Sequence, residues 1–303
     1  MTELLIGIFN GVSIGSVLLV SALGLAIAFG LMGVINLAHG ELMMLGAYTT
    51  FVVQNVFRGF GEPFFNLYII FAIPLAFFVA AAVGFGLERG VIRYLYGRPL
   101  ETLLATWGVS LILQQFVRSV NWAIAFGVIA FLLKDVIRWA VLQALNLAKI
   151  QSVALKMWLD KLNVVAAFAL GFGVIFGVNL TKNDALTKPW FSARNVDVTA
   201  PQWLQGGLSL GSAQLPYSRI FIIVLTLICL GAMYWFLNKS NWGLRIRAVT
   251  QNREMSSCLG IPTARVDALT FALGSGLAGI AGVAIALLGS VGPNTGQNYI
   301  VDA

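Results

Sequence analysis

Long apolar stretches, separated by short polar connections, make up most of this sequence. A helix needs about 20 apolar residues to cross the roughly 30 Å hydrocarbon core of a bilayer. Stretches close to or above that length occupy residues 4–35, 42–57, 66–87, 102–118, 163–180, 220–237 and 269–289. The pattern predicts an all-α fold, a polytopic transmembrane helix bundle in which residues 1–303 form a single membrane domain.

The first apolar stretch runs into a polar interruption at GVINLAHGELMM (33–44). Residues 4–35 form either one long tilted helix or a span followed by a half-helix that stops at Asn36. The next span, 42–57, is short, which indicates that the interruption, at 33–41, lies at membrane depth. Non-helical backbone at that depth is tolerated only inside protein or beside a water-filled cavity. We therefore expect interrupted, or broken, helices in this bundle.

Three polar side chains stand in this interruption: Asn36, His39 and Glu41. Ionisable groups at membrane depth are costly and usually face a protein interior or an aqueous cavity. Two roles stay open for the three residues, namely pinning the helix break and touching a permeating solute. A zinc site of the H-E-x-x-H type is excluded because the chain has one histidine. We predict no catalytic and no metal site, and an intramembrane enzyme is the least favoured alternative.

The span 102–118 carries a polar stripe formed by Thr106, Ser110 and Gln114. Positions i, i+4 and i+8 fall on one face of an α-helix. Hydroxyl and amide side chains in bilayers commonly form hydrogen bonds between helices. The stripe is therefore either a helix–helix contact or part of the lining of a solute pathway, and the sequence leaves both open.

A second polar interruption, GPNTGQN (292–298), follows the apolar span 269–289. That span contains small residues suited to close helix packing, among them Gly274, Gly276, Gly279 and Gly282. The polar residues of the interruption are Asn294, Thr295 and Gln297. Two interrupted apolar segments in corresponding halves of a transporter point to a substrate site near the bilayer midplane. We therefore predict that both interruptions and the polar stripe line a solute pathway.

Composition and charge support a membrane protein. The chain is 59% hydrophobic and 10% charged, whereas soluble domains contain roughly 25% charged residues. Its net charge of +7 is spread over short loops, which is typical of cytoplasmic loops enriched in Lys and Arg, and predicts no nucleic-acid partner. We expect the basic segment 238–265 in the cytoplasm and the charge-balanced segment 182–218 in the periplasm. Residues 134–160 predict a basic amphipathic helix at the membrane surface, with a soluble partner-binding helix as the alternative.

The basic segment 238–265 contains Glu254, two serines close behind it and then Gly260. This pattern resembles the Glu-Ala-Ala…Gly coupling loop of ABC importer permeases, where a short cytoplasmic helix docks on the ATPase. Small residues permit close docking, and a glycine ends the helix and turns the chain. The basic side chains expected to pair with acidic groups of the ATPase are Arg245, Arg247 and Arg253. The chain has no G-x-x-x-x-G-K-[ST] motif, so we expect no cofactor here and ATP bound by a partner subunit.

Longer strings carry a more specific resemblance. GVINLAHGELMMLGAY resembles the N-terminal signature of the permeases of branched-chain amino acid ABC importers. Three further strings, RPLETLLATWGVSLILQQ (98–115), NVDVTAP (195–201) and GPNTGQNYIVDA (292–303), resemble the urea-transporting branch of that family. The family usually continues past YIVDA with further spans, so we expect the permease domain to be truncated at its C-terminus.

The resemblance implies a permease subunit of an ATP-driven importer in the bacterial inner membrane. Within the lipid bilayer it would pair with a second, homologous permease, and it would work with two cytoplasmic ATPase subunits and a periplasmic substrate-binding protein. We expect the solute to be urea or a similar small amide, which needs hydroxyl and amide partners more than a fixed charge. A branched-chain amino acid permease and, less favoured, a passive urea channel are the alternatives.

Overall fold

The computed structural model describes residues 2–120, 173, 195–210 and 213–300. Its helices, numbered in chain order, are α1 (Thr2–Met32), α2 (His39–Arg58), α3 (Glu62–Phe65), α4 (Tyr68–Gly90), α5 (Pro99–Ser119), α6 (Tyr217–Lys239), α7 (Asn241–Gln251), α8 (Arg253–Cys258), α9 (Thr263–Leu288) and α10 (Thr295–Ile300). Short 3-10 helices cover Ile92–Leu95 and Gln202–Leu204, and an antiparallel hairpin pairs β1 (Gly207–Leu210) with β2 (Ala213–Pro216). Apart from that hairpin, the regular elements in the described ranges are helical.

Five helices in the described residues are long and apolar enough to cross a membrane: Ile6–Met32 within α1, and α4, α5, α6 and α9. This finding confirms the predicted polytopic helix bundle. The predicted span at 42–57 corresponds to α2, which has 20 residues but is not among the five. The amphipathic segment predicted at 134–160 lies outside the described residues, as does the span predicted at 163–180 except for the helical residue Gly173.

The first apolar stretch is one continuous helix, so the first of the two alternatives for residues 4–35 is the observed one. Helix α1 ends at Met32, and Gly33 follows with φ +66°. Glycine is favoured in this left-handed region and commonly ends helices there. Residues 33–38 are non-helical, and α2 begins at His39. The break is therefore shorter than the predicted interval 33–41, and His39 and Glu41 belong to the first turn of α2.

Helix α9 is the centre of the bundle, buried along most of its length against α1, α2 and α4. Its glycines permit this packing. A Cβ added to Gly274 would lie 2.7 Å from the carbonyl oxygen of Gly24 in α1, and Gly279 meets the backbone of Gly46 in α2. Gly282 likewise meets the backbone of α2. The prediction that these small residues bring helices into close contact is confirmed.

Helix α5 has a buried polar face and an exposed apolar face. The buried polar residues follow every fourth position and are Thr102, Thr106, Ser110 and Gln114. The exposed large apolar residues are Leu100, Leu104, Trp107, Leu111, Ile112 and Phe116. This inversion of a soluble amphipathic helix suits a span whose apolar face meets lipid, and it turns the predicted polar stripe toward the protein.

The chain divides into two compact units, Met1–Gln114 with Asn195–Ala303, and Gln115–Arg194. Most of the second unit lies outside the described residues. In the first unit, the described part of the segment predicted as a loop at 182–218 includes the hairpin and packs on the ends of α2 and α4. The Tyr68 hydroxyl donates to the Thr199 carbonyl oxygen at 2.8 Å, and the Thr199 N–H donates to the Gln54 side chain at 3.3 Å.

Candidate functional site

Asn36 organises the break between α1 and α2. Its side chain is buried, and its Oδ1 atom accepts the N–H of Ala38 at 3.0 Å. The Asn36 carbonyl oxygen accepts the N–H of His39 at 3.3 Å. An Asn side chain that bonds backbone two residues on forms an Asx-turn, so this residue turns the chain and starts α2. Its observed contacts fit the pinning role left open by the sequence.

His39 fixes the first turn of α2 to the middle of α1. The imidazole is buried, and its Nε2 atom lies 3.0 Å from the carbonyl oxygen of Ser21. Because that carbonyl only accepts, Nε2 carries the hydrogen in this contact. Gly24 leaves room for the ring, since a Cβ there would lie 2.9 Å from His39 Cε1. His39 therefore ties two helices together.

Glu41 lies opposite the polar face of α5. It is buried, and its Oε1 atom accepts the Ser110 hydroxyl at 3.0 Å and the Gln114 amide at 2.6 Å. Hydrogen bonds to a carboxylate are shorter and stronger than neutral ones. The predicted stripe and the first interruption thus meet in one buried network.

Thr106 completes this contact one turn earlier on α5. Its hydroxyl oxygen accepts the N–H of Leu37 at 3.2 Å and lies 3.4 Å from the carbonyl oxygen of Ile35. These atoms belong to the non-helical residues 33–38, whose backbone groups have fewer partners within the chain segment itself. Of the two alternatives for the stripe, the structure shows hydrogen bonds within the protein: Ser110 and Gln114 bond α2, and Thr106 bonds the break that precedes it. Contact with a solute stays a prediction.

The second interruption meets the first. Gly296, in the first turn of α10, packs against the backbone of Gly40, and a Cβ on either residue would overlap the other chain segment. The Thr295 hydroxyl accepts the N–H of Gly292 at 2.7 Å, which shapes the turn before α10. Asn294 and Gln297 are exposed. The two polar breaks predicted from separate ends of the sequence are therefore neighbours in the fold.

This arrangement places one carboxylate among uncharged polar groups. The Ser110 hydroxyl and the Gln114 amide are engaged by Glu41 itself, and the buried surroundings strengthen such hydrogen bonds. No group of three His, Cys, Asp or Glu that could hold a metal ion occurs in the described ranges. The observed contacts of this network lie within the protein, and its part in a solute pathway stays a prediction.

The basic segment 238–265 forms two short helices, α7 and α8. Helix α8 ends in a Schellman motif, in which Ile261 donates to Ser256 and Gly260 donates to Ser257, both at 3.0 Å. Gly260 has φ +80°, as expected of the residue that turns the chain. Glu254 is exposed in the first turn of α8.

The three arginines predicted to pair with the ATPase differ in their surroundings. Arg245 and Arg247 are exposed on α7, where Arg247 donates to the Asn238 side chain at 3.2 Å. Arg253 forms an ion pair with Asp267 of α9 at 2.6 Å. Pairing with an external acidic group, the role predicted for Arg253, therefore competes with a contact inside the chain.

Sequence reasoning did not single out the residues that receive these side chains. Ser21 and Gly24 on α1, and Gly40 and Gly296 at the two breaks, were not assigned to the site. Small residues one or two turns apart in apolar helices are a general packing signal, but nothing local pairs Gly40 with Gly296. Thr102, which extends the buried stripe on α5 by one turn, was detectable from the same four-residue spacing.

Comparisons with known proteins agree with a transport role. A family model described as a branched-chain amino acid transport system permease component matches residues 7–129 and 123–303. Two relatives are high-affinity branched-chain amino acid transport system permease proteins named LivH, from Salmonella typhimurium strain LT2 and from Escherichia coli strain K12. Each is 25% identical to this chain over 281 residues, and the match covers 91% of this chain and 68% of the relative. The corresponding BraD protein of Pseudomonas aeruginosa strain PAO1 is 23% identical over 289 residues, covering 95% of this chain and 72% of the relative.

No solved structure matches the chain significantly. The family match covers nearly the whole sequence, and the five apolar helices make the chain a multi-pass membrane protein. Members described in this way are transport components, so the chain is a transport subunit and not an enzyme. It belongs to the branched-chain amino acid transport system permease family.

Proposed function

We propose that this chain is an inner-membrane permease subunit of an ATP-driven importer. The observation that carries the proposal is the family match over residues 7–129 and 123–303, together with two helix breaks that meet inside the bundle. The subunit pairs with a second, homologous permease. Two cytoplasmic ATPase subunits supply the energy, and a periplasmic binding protein delivers the solute.

For the solute, the relatives favour branched-chain amino acids. The matched LivH and BraD proteins are described as high-affinity branched-chain amino acid transport system permease proteins. This description favours a branched-chain amino acid over urea as the solute. The buried carboxylate of Glu41 is a group that attracts an ammonium, and a zwitterion passing the break meets amide and hydroxyl groups next to it. We therefore take a branched-chain amino acid as the first candidate solute.

Urea is the second candidate, and a specific observation favours it. The strings at 98–115 and 292–303 resemble the urea-transporting branch of the family. The groups contributed by α5 to the network are uncharged, namely the hydroxyls of Thr106 and Ser110 and the amide of Gln114. A planar amide with donors and an acceptor is recognised by groups of this kind.

Uptake into proteoliposomes distinguishes these solutes. The complete importer, with its partner permease, ATPase subunits and binding protein, is reconstituted and supplied with labelled leucine or labelled urea. Calorimetry on the binding protein with leucine, urea and short amides gives an independent ranking. ATP-dependent leucine uptake supports the first candidate, and ATP-dependent urea uptake supports the second. Uptake that persists when the ATPase subunits are inactivated would refute an ATP-driven importer and support a passive channel.

The segment 238–265 is the proposed docking site of the ATPase on the cytoplasmic side, and 182–218 the proposed periplasmic segment. Glu254 and Met255 in α8 and Leu259 directly after it have exposed side chains, and the exposed Arg245 and Arg247 of α7 add positive charge. Docking is tested by co-purification of the ATPase subunits with Glu254→Arg, using Glu101→Arg, an exposed carboxylate at the start of α5, as the matched control. Equal retention of the ATPase by both variants would remove Glu254 from the docking site.

A further inference from the structure

A polar network joins the proposed docking helix α8 to the ends of α4 and α9. Glu88, near the end of α4, is fully buried. Its carboxylate accepts the Tyr96 hydroxyl at 3.2 Å and the Arg93 guanidinium at 3.4 Å. Tyr96 follows the 3-10 helix Ile92–Leu95, so the connection between α4 and α5 folds back onto α4.

The same Tyr96 ring contacts the docking helix. The guanidinium carbon of Arg253, the first residue of α8, lies 4.7 Å from the centroid of the Tyr96 ring. Arg253 in turn donates to the Asp267 carboxylate of α9 at 2.6 Å. A guanidinium held over an aromatic face while paired to a carboxylate is fixed on two sides. Tyr96 and Arg253 thereby connect α4, α8 and α9.

Burial, more than the charges nearby, keeps the Tyr96 hydroxyl protonated and therefore a hydrogen-bond donor. Burial, together with the nearby carboxylates of Asp267 and Glu88, raises the pKa of Tyr96 above its ordinary value. A neutral hydroxyl donates to Glu88, whereas a tyrosinate beside two carboxylates is unfavourable. Arg93 joins the network to α9 as well, because its guanidinium donates to the carbonyl oxygen of Ala264, near the start of α9, at 3.3 Å.

Helix α9 connects this network to the candidate pathway. It packs through glycines against α1, α2 and α4, and Gly279 and Gly282 touch the backbone of α2 directly. Such backbone contacts leave no compressible side chain between the helices, so a displacement at one end of α9 is passed on to its neighbours. Helix α2 begins with His39 and carries Glu41 in its first turn.

We propose that Tyr96 is a positioning residue that couples the ATPase docking helix α8 to α4 and α9, acting through Arg253, Asp267 and Glu88. The proposal rests on the proposed function, because it requires an ATPase docked at α8. When α8 moves, the Arg253–Asp267 ion pair draws α9, and the Tyr96–Glu88 hydrogen bond draws α4. Without this link, the ATPase docks and hydrolyses ATP but moves the helix breaks inefficiently.

The test measures ATP hydrolysed per solute taken up by the reconstituted importer. Tyr96→Leu removes the ring and the hydroxyl, and it is expected to raise this ratio about tenfold, within the usual range of coupling between sites. Tyr96→Phe keeps the ring over Arg253 and loses the bond to Glu88, so it is expected to raise the ratio by a smaller factor, about threefold. Tyr94→Leu is the matched control, because Tyr94 is 74% exposed two residues earlier, and its ratio should equal the wild-type value.

Docking is followed separately by labelling a native cysteine. Cys258, the last residue of α8, is exposed, whereas Cys229 is buried, so a maleimide reagent reports on α8. Bound ATPase subunits should protect Cys258 equally in wild type, Tyr96→Phe and Tyr94→Leu.

The outcomes separate the two proposals. Failure of the ATPase to protect Cys258 in the wild-type protein would overturn the proposed docking at α8, on which the coupling role rests, whereas the proposed importer function itself is tested by ATP-dependent uptake. Normal protection combined with a raised ratio in Tyr96→Phe and Tyr96→Leu supports the coupling role. An unchanged ratio in both variants, an equal rise in Tyr94→Leu, or loss of protection in Tyr96→Phe would overturn it, the last because the network would then serve docking alone.

Discussion

The Gln114→Leu substitution tests the buried network between α2 and α5. The Gln114 amide donates to Glu41 Oε1 at 2.6 Å, and Ser110 donates to the same atom at 3.0 Å. Replacing the amide by an apolar side chain of similar volume leaves the carboxylate with one donor fewer in a buried site. The α2–α5 contact should therefore weaken, and with it the position of the helix break.

The expected loss follows from the charge of the acceptor. Hydrogen bonds between neutral side chains of membrane helices average about 0.6 kcal/mol, with a maximum near 1.7 kcal/mol. Bonds to a charged group contribute about 1.5–3 kcal/mol. Because Glu41 is 1% exposed and the bond is short, we expect Gln114→Leu to lower the free energy of unfolding by about 2 kcal/mol.

The neighbouring residue supplies a matched control. Gln115 is exposed and donates to Ser119 within its own helix at 3.2 Å. Gln115→Leu is therefore expected to change the free energy of unfolding by no more than about 0.5 kcal/mol. Both variants are measured by circular dichroism during denaturation of the detergent-solubilised protein.

A double-mutant cycle assigns the effect to the pair. In a Glu41→Gln background the acceptor is neutral, so Gln114→Leu should cost less than in the wild type, by about 1 kcal/mol. Equal losses from Gln114→Leu and Gln115→Leu, or an identical loss in both backgrounds, would show that the short bond to Glu41 does not stabilise this contact.

Three further predictions concern the backbone contacts, the docking helix and the histidine. Gly46→Ala should lower the free energy of unfolding by about 1–3 kcal/mol, because the added Cβ meets the Gly279 backbone. Gly86→Ala places its Cβ in open space at a helical position and should raise the free energy of unfolding by up to about 1 kcal/mol. Similar denaturation curves for the two variants would contradict this. Gly260→Val places a β-branched residue at φ +80°, so α8 should end differently and the variant should co-purify less ATPase. Retention of the ATPase at the wild-type level would refute a role of Gly260 in docking. His39→Ala removes the contact to α1 and should lower the free energy of unfolding by about 2 kcal/mol. A denaturation midpoint equal to that of the wild type would show that the His39–Ser21 contact does not stabilise the fold.

Most of the long helices and several residues of the candidate site could be predicted from local patterns in the chain. Spans, breaks and the stripe of Thr106, Ser110 and Gln114 follow from periodicity, because the spacing of residues along a helix fixes which of them share a face. The Gly260 turn is equally local, since a Schellman motif involves only the residues at one helix end. The boundaries differ, because α2 begins at His39 and so takes in residues that were predicted to lie in the break.

Which of these features meet in space could not be predicted from local patterns. Glu41 bonds residues 69 and 73 positions away, and Gly40 packs on Gly296 from the opposite end of the chain. No local pattern encodes such pairs, because they arise when whole helices pack and bring distant faces together. The same holds for Arg253, whose place in a basic segment could be predicted but whose partners could not. Tyr96 and Asp267 become its neighbours only where α8 folds against the bundle.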